Sequence, residues 1–255
     1  MTAPPTAHGA RVNPPREAIE AFRVGPASGA GPAAGGATAA TAPRTPPFCV
    51  LLGSDYAGKS SVLRELSRIA PHIRIISADE ELLGPGHSLI GRLRRGLVDD
   101  VMPALHRDYS TDFMLTMLQT AVLHLRDSIA RSPADAPVLV DSYYYKMLAK
   151  CRLTGQDGHP LFDWWRSFPQ PEQVIFLEVS ARTAWRRCGA GRDLNPLEHY
   201  GPRADYASFA RFQGDLNAAM REEVHALPVS SIAEGAQVST VAQQIREALV
   251  VHELI

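Results

Sequence analysis

The residues best suited to chemistry are Gly53-Ser54-Asp55-Tyr56-Ala57-Gly58-Lys59-Ser60, which meet every defined position of the phosphate-binding pattern G-x-x-x-x-G-K-[ST]. Such a loop turns its backbone N–H groups inward and ends at a helix N-terminus, so it forms a concave, electropositive anion site. The Lys59 ammonium would reach the β and γ phosphates of a nucleoside triphosphate, and the Ser60 hydroxyl would ligate magnesium. Gly53, Asp55, Tyr56, Ala57, Gly58, Lys59, Ser60 and Ser61 are therefore the expected nucleotide contacts. A second candidate is Asp141, which follows the apolar run Pro137–Val140 and has the form of a Walker B carboxylate holding magnesium. A lone acid at a strand end also serves as a cap or turn residue, and here the phosphate motif favours the metal.

These residues need elements in a set order. Phe48–Leu52 is a continuous apolar run of strand length, and Ser61–Ile69 after the glycine loop has helical periodicity. Ile73–Ile76 reads as a second strand ending at Ser77-Ala78-Asp79. An apolar stripe with basic residues between runs from Ser88 to about Arg107. Tyr109–Arg131 is the longest predicted helix, capped by Ser110 or Thr111, with Asp112 favourable in its first turn. Pro137–Val140 and Gln173–Val179 read as buried strands, Ala181–Cys188 as a helix, Pro228–Ile232 as a last strand and Val238–Leu249 as a last helix. Strands alternating with helices predict an α/β P-loop NTPase fold. Its parallel sheet would carry helices on both faces, with the ligand beyond the carboxyl ends of the strands.

Composition bounds the rest. The 255 residues carry 26 Lys plus Arg against 27 Asp plus Glu, so the net charge of -1 supplies no general attraction to nucleic acid or an acidic membrane. Cys49, Cys151 and Cys188 are odd in number and lack CxxC spacing, which argues against a disulfide framework or zinc site and suits a reducing cytoplasm. No apolar run approaches the roughly 18 to 20 residues that span a bilayer, and no signal-peptide core is evident, so a cytoplasmic protein is expected. Residues 1–46 are rich in Ala, Pro, Gly and Thr and read as a disordered tail preceding one domain, 47–255. Within that tail Arg16–Val24 has the helical spacing of Ile19, Phe22 and Val24.

The chain contains no Asn-Lys-x-Asp guanine motif. Phe48–Ser61, with an acid at Asp55, and Leu177–Glu198 resemble the strand, P-loop and arginine-bearing lid of the thymidylate kinase and deoxynucleoside kinase family, a likeness reaching from Phe48 to Leu249. The resemblance implies ATP and magnesium as cofactors, a small-molecule acceptor, and a homodimer paired through the long helix. It places Arg187 near the adenine, Glu198 as the lid glutamate, and Arg192 one residue from a lid arginine that approaches the transferred phosphoryl group. It also implies that Asp79 takes the proton of the attacking hydroxyl; by its residues alone, Asp79-Glu80-Glu81 equally reads as the cap of the next helix.

The departures concern the acceptor. Asp141-Ser142-Tyr143 stands where thymidylate kinases have Asp-Arg-Tyr, so the arginine expected to hold an acceptor phosphate is missing. The base-reading positions fall near Ala121 and Leu123, with Gln119, His124 and Arg126 close on the same helix. Tyr143, Tyr144 and Tyr145 either stack on an acceptor ring or pack, and Trp164 and Trp165 read as core or lid-hinge packing. His124 has Ser128, not a ligand, one turn on. The expected activity is phosphoryl transfer to a nucleoside, nucleotide or related small hydroxylated molecule. Alternatives are a kinase of a non-nucleoside metabolite and a nucleotide-binding protein without transfer activity.

Overall fold

In the computed structural model, which describes residues 45–234 and 237–251, five parallel strands run through the centre. They are β1 (Phe48–Gly53), β2 (Arg74–Ile76), β3 (Val138–Asp141), β4 (Gln173–Leu177) and β5 (Val229–Ile232), in the order β2-β3-β1-β4-β5. The expected tail up to residue 44, with its Arg16–Val24 patch, lies outside the described residues. Strand β1 is buried at every position because it lies mid-sheet with both faces covered. Side chains alternate across the pleat: Phe48, Val50, Leu52, Val140 and Phe176 enter one core, and Cys49, Leu51, Leu139 and Ile175 the other.

The helices are α1 (Lys59–Ile69), α2 (Ser88–Gly96), α3 (Thr111–Ala130), α4 (Tyr145–Leu153), α5 (Pro160–Arg166), α6 (Ala181–Arg187), α7 (Tyr206–Glu223) and α8 (Val238–Val251). Helices α1 and α8 cover one face, through Val62, Leu63 and Leu66 against Ala242, Ile245 and Leu249. Helices α3, α4 and α7 cover the other, through residues such as Leu125, Leu148 and Phe212. The Ser110 hydroxyl accepts from the Phe113 N–H at 3.1 Å, so Ser110 rather than Thr111 caps α3.

The structure adds detail to the sequence reading near the site. Along the stripe from Ser88 to Arg107, α2 passes into a wider helical turn at Leu97–Val101 and a tighter one at Met102–Ala104, where Pro103 supplies no N–H. Helices α4, α5 and α7 are additions. In α7 the signal was present, since Phe209, Phe212, Leu216 and Met220 recur at helical spacing behind Asp205, which accepts from the Ser208 N–H at 2.8 Å. Tyr143, Tyr144 and Tyr145 are fully buried against one another, with ring centroids 4.3–5.9 Å apart, so they pack. Trp165 is buried while Trp164 is 42% exposed. All three cysteines are free and buried. Among the described residues no helix is long and apolar enough to cross a membrane.

Candidate active site

The turn from β1 into α1 is tight enough to dictate glycine at both ends. A Cβ at Gly53 would lie 2.9 Å from the Leu177 carbonyl oxygen of β4, and Gly58 has a φ of +94°, where side chains are strained. The Lys59 amine curls back to the Gly53 carbonyl at 3.4 Å. Beside this loop opens a cavity of about 500 Å³, lined by Tyr56–Val62, the ends of β4 and β5, and Val238 and Val241 of α8. Arg187 lines it too, and its guanidinium donates to the Tyr56 and Ala57 carbonyls at 3.0 and 2.9 Å, bracing the loop from outside.

A second cavity of about 270 Å³ opens on the other side and shares only Lys59 and Ser60 with the first. At its phosphate end the Ser60 hydroxyl donates to Asp79 Oδ2 at 2.7 Å. The other Asp79 oxygen accepts from the Glu81 N–H at 3.2 Å and closes a local turn; the alternative reading as a helix cap does not hold, because the next helical residues begin only at Pro85, behind Gly84. Asp141 faces the same space, its oxygens taking the Ser77 and Ser142 hydroxyls at 2.9 Å each. Ser142 and Tyr143 have φ of 61° and 45°, a strained reversal that turns the chain away after β3 and that the buried Tyr143 ring anchors.

The residues that sequence reasoning missed sit behind the loop. Lys146 and Lys150, one turn apart on α4, place their amines 2.7 and 2.9 Å from the two oxygens of Asp55. Burial works against the Asp55 charge, yet the two ammonium groups outweigh it and hold the carboxyl below its ordinary range. Gln213 of α7 completes the socket: its amide accepts from the Asp55 N–H at 2.9 Å and donates to Asp55 Oδ2 and the Glu198 carbonyl. The Tyr56 hydroxyl donates to Glu198 at 2.9 Å and bonds the Asp193 carbonyl at 2.7 Å, tying the loop before α7 to the P-loop. Burial, and then the Asp55 charge, raise the Glu198 carboxyl. Burial, and then the neighbouring Lys146, bring the Lys59 amine down to about 7, against the pull of Asp141 and Asp55.

The structure thus brings together Asp55, Lys59, Ser60, Asp79 and Asp141 at the second cavity, with Arg187 at the first. It does not bring Arg192, which is exposed, lines neither cavity and bonds the Gly189 carbonyl of its own loop at 3.1 Å. Ala121 lines the second cavity; Gln119, Leu123, His124 and Arg126 do not. Arg126 instead lies over the Phe168 ring at 4.8 Å, and His124 stands against His87 with ring centroids 4.7 Å apart. Among the described residues no three His, Cys, Asp or Glu side chains converge on a protein-only metal site. Ser60 and Asp141 nevertheless offer hard oxygen donors, which suit magnesium, an ion that takes further ligands from water and phosphates.

No protein-family model and no curated protein sequence matches the chain. Solved structures do match. The thymidylate kinase of Candida albicans superposes with a TM-score of 0.54 at 14% identity, over 82% of this chain and 93% of that one. The deoxyadenosine kinase of M. mycoides with dCMP and dCDP bound gives 0.51 at 16% identity, over 80% and 98%. With dATP bound it gives 0.50 at 16%, over 80% and 99%. The fold is that of these P-loop kinases. In this kinase fold the expected α/β architecture stands, with Lys59 and Ser60 on the wall between the two cavities.

Proposed function

We propose that the protein is an ATP- and magnesium-dependent kinase of a small hydroxylated molecule. The observation that carries this reading is the meeting of two cavities at Lys59 and Ser60, with Asp79 hydrogen-bonded to Ser60 on the side away from Arg187. One cavity suits the donor nucleotide and the other its acceptor. The P-loop amides at the start of α1 would hold the β-phosphate, and Lys59, with Lys146 beside it, would face the charge of the transferring group. Magnesium held by Ser60 and Asp141 would supply neutralisation of phosphate charge.

Transfer then needs a base and a position. The acceptor oxygen bonds the γ-phosphorus as the bond from that phosphorus to the β–γ bridging oxygen breaks, the electron pair leaving on ADP. The hydroxyl proton passes to Asp79, which its place just after β2 sets beside Ser60 and the second cavity. Arg187 holds the loop and the base end of the donor, while Arg192 falls outside this constellation. The test is magnesium-dependent ATP consumption by the pure protein across hydroxylated acceptors, with the phosphorylated product read by mass. Turnover that survives Lys59→Ala unchanged would remove the proposal.

A further inference from the structure

The acceptor-side cavity has two unlike ends. The end at the P-loop is charged, with Asp79, Asp141 and Lys146 around Lys59 and Ser60. The far end is hydrocarbon: Leu97 and Val98 from the wide turn after α2, and Met117, Leu118, Ala121 and Leu125 from α3. Among the described residues no aromatic side chain lines this cavity, and its one amide, Asn195, has its oxygen engaged by the Leu197 N–H at 2.9 Å. A nucleobase placed against the hydrocarbon end would find no ring to stack on, and its edge donors and acceptors would face Leu97, Val98, Met117, Leu118, Ala121 and Leu125 unpaired, each unpaired group weakening binding about tenfold or more.

The charges point the same way. Lys146 and Lys150 are matched by Asp55 at 2.7 and 2.9 Å, Lys150 also stands 4.0 Å from Glu198, and Arg94 donates to the Ala78 carbonyl. Ser142, first after β3, offers only a hydroxyl, and it donates to Asp141. Among the described residues that line this cavity, the cations without a carboxylate partner are Arg94 and Lys59, of which the P-loop commits Lys59 to the donor phosphates. With Lys59 so committed, Arg94, Lys146 and Lys150 stand against Asp55, Asp79, Asp141 and Glu198, so an acceptor bearing its own phosphate would add negative charge to a lining in which carboxylates already outnumber cations.

We infer that the acceptor is an uncharged alcohol with an apolar body, its hydroxyl at Asp79 and its hydrocarbon or unsubstituted ring against α3. This rests on the kinase reading above. A cavity of about 270 Å³ suits a compact molecule, lying just under the roughly 300–1,000 Å³ of drug-sized sites.

The experiment uses the full chain with magnesium and saturating β,γ-imido-ATP, titrated calorimetrically with 3-phenylpropanol, cinnamyl alcohol and geraniol, and in parallel with thymidine, deoxycytidine, deoxyadenosine and dTMP. ATP then replaces the analogue for product mass. The expected result is that at least one alcohol binds about tenfold or more tightly than every nucleoside and dTMP, and is phosphorylated. Val98→Asn, at a half-buried position that tolerates a polar group, weakens that alcohol about tenfold and leaves the analogue's affinity unchanged. Ala121→Phe, which fills the cavity, does the same. Analogue binding with no alcohol binding, or with a nucleoside or dTMP as the better ligand, overturns the inference and leaves the kinase reading standing. Failure of the analogue itself to bind overturns both.

Discussion

Ser60 Oγ lies 2.7 Å from Asp79 Oδ2, joining the first turn of α1 to the end of β2 across the width of β1 and β3. Because β2 lies outside β3 in a parallel sheet, its carboxyl end opens on the same rim as the P-loop, and one carboxylate there meets Ser60 of the P-loop and lines the second cavity. The placement follows from strand order, and it makes Asp79 the first residue to test.

Asp79→Asn keeps an oxygen that accepts from Ser60 but removes the proton acceptor. Transfer is expected to slow about 100-fold or more, with magnesium-ATP affinity by calorimetry little changed. Equal losses in both would make Asp79 a metal ligand instead of the base.

The Lys59 amine, brought down to about 7, supplies a pH dependence. Above that pH the free protein holds the amine neutral, whereas bound phosphates favour the ammonium, so nucleotide binding takes up a proton between about 7 and the ordinary lysine range. Affinity should therefore fall as pH rises through that window. Calorimetry in two buffers of different ionisation enthalpy should show uptake at pH about 8 and almost none at about 6. Lys146→Met, which removes the neighbouring charge, should shrink the uptake; equal uptake in that variant would put the cause elsewhere.

Gln213→Leu preserves bulk while stripping three buried hydrogen bonds from Asp55 and the Glu198 backbone. The expected loss is about 2–4 kcal/mol in urea unfolding. A loss under about 1 kcal/mol would mean that water takes over these partners.

The two lid-side arginines should separate. Arg187→Ala removes bonds to two P-loop carbonyls and should weaken magnesium-ATP about tenfold. Arg192→Ala, whose guanidinium engages only its own loop, should leave that affinity unchanged. A matching loss in both would place Arg192 at the donor site when nucleotide is bound.

What the sequence determined by itself was local and contiguous. The P-loop is eight consecutive residues whose backbone makes the site, β1 is legible as an unbroken apolar run, and Asp79 and Asp141 are marked by the strands they terminate. The 18-residue helix α7 carried a readable period as well, and went unread among shorter signals. Only the tertiary structure decided which distant side chains share the socket. Gln213 reaches Asp55 across 158 positions, and Lys146 and Lys150 point at it only because the strained turn at Ser142 and Tyr143 aims α4 inward. Arg192 stands one residue from the lid arginine's place in sequence and lies outside both cavities, because the loop before α7 turns its side chain back on Gly189. Spacing along a chain specifies neighbours within a turn or a strand; the meeting of side chains from β1, α4 and α7 depends on the packing of layers.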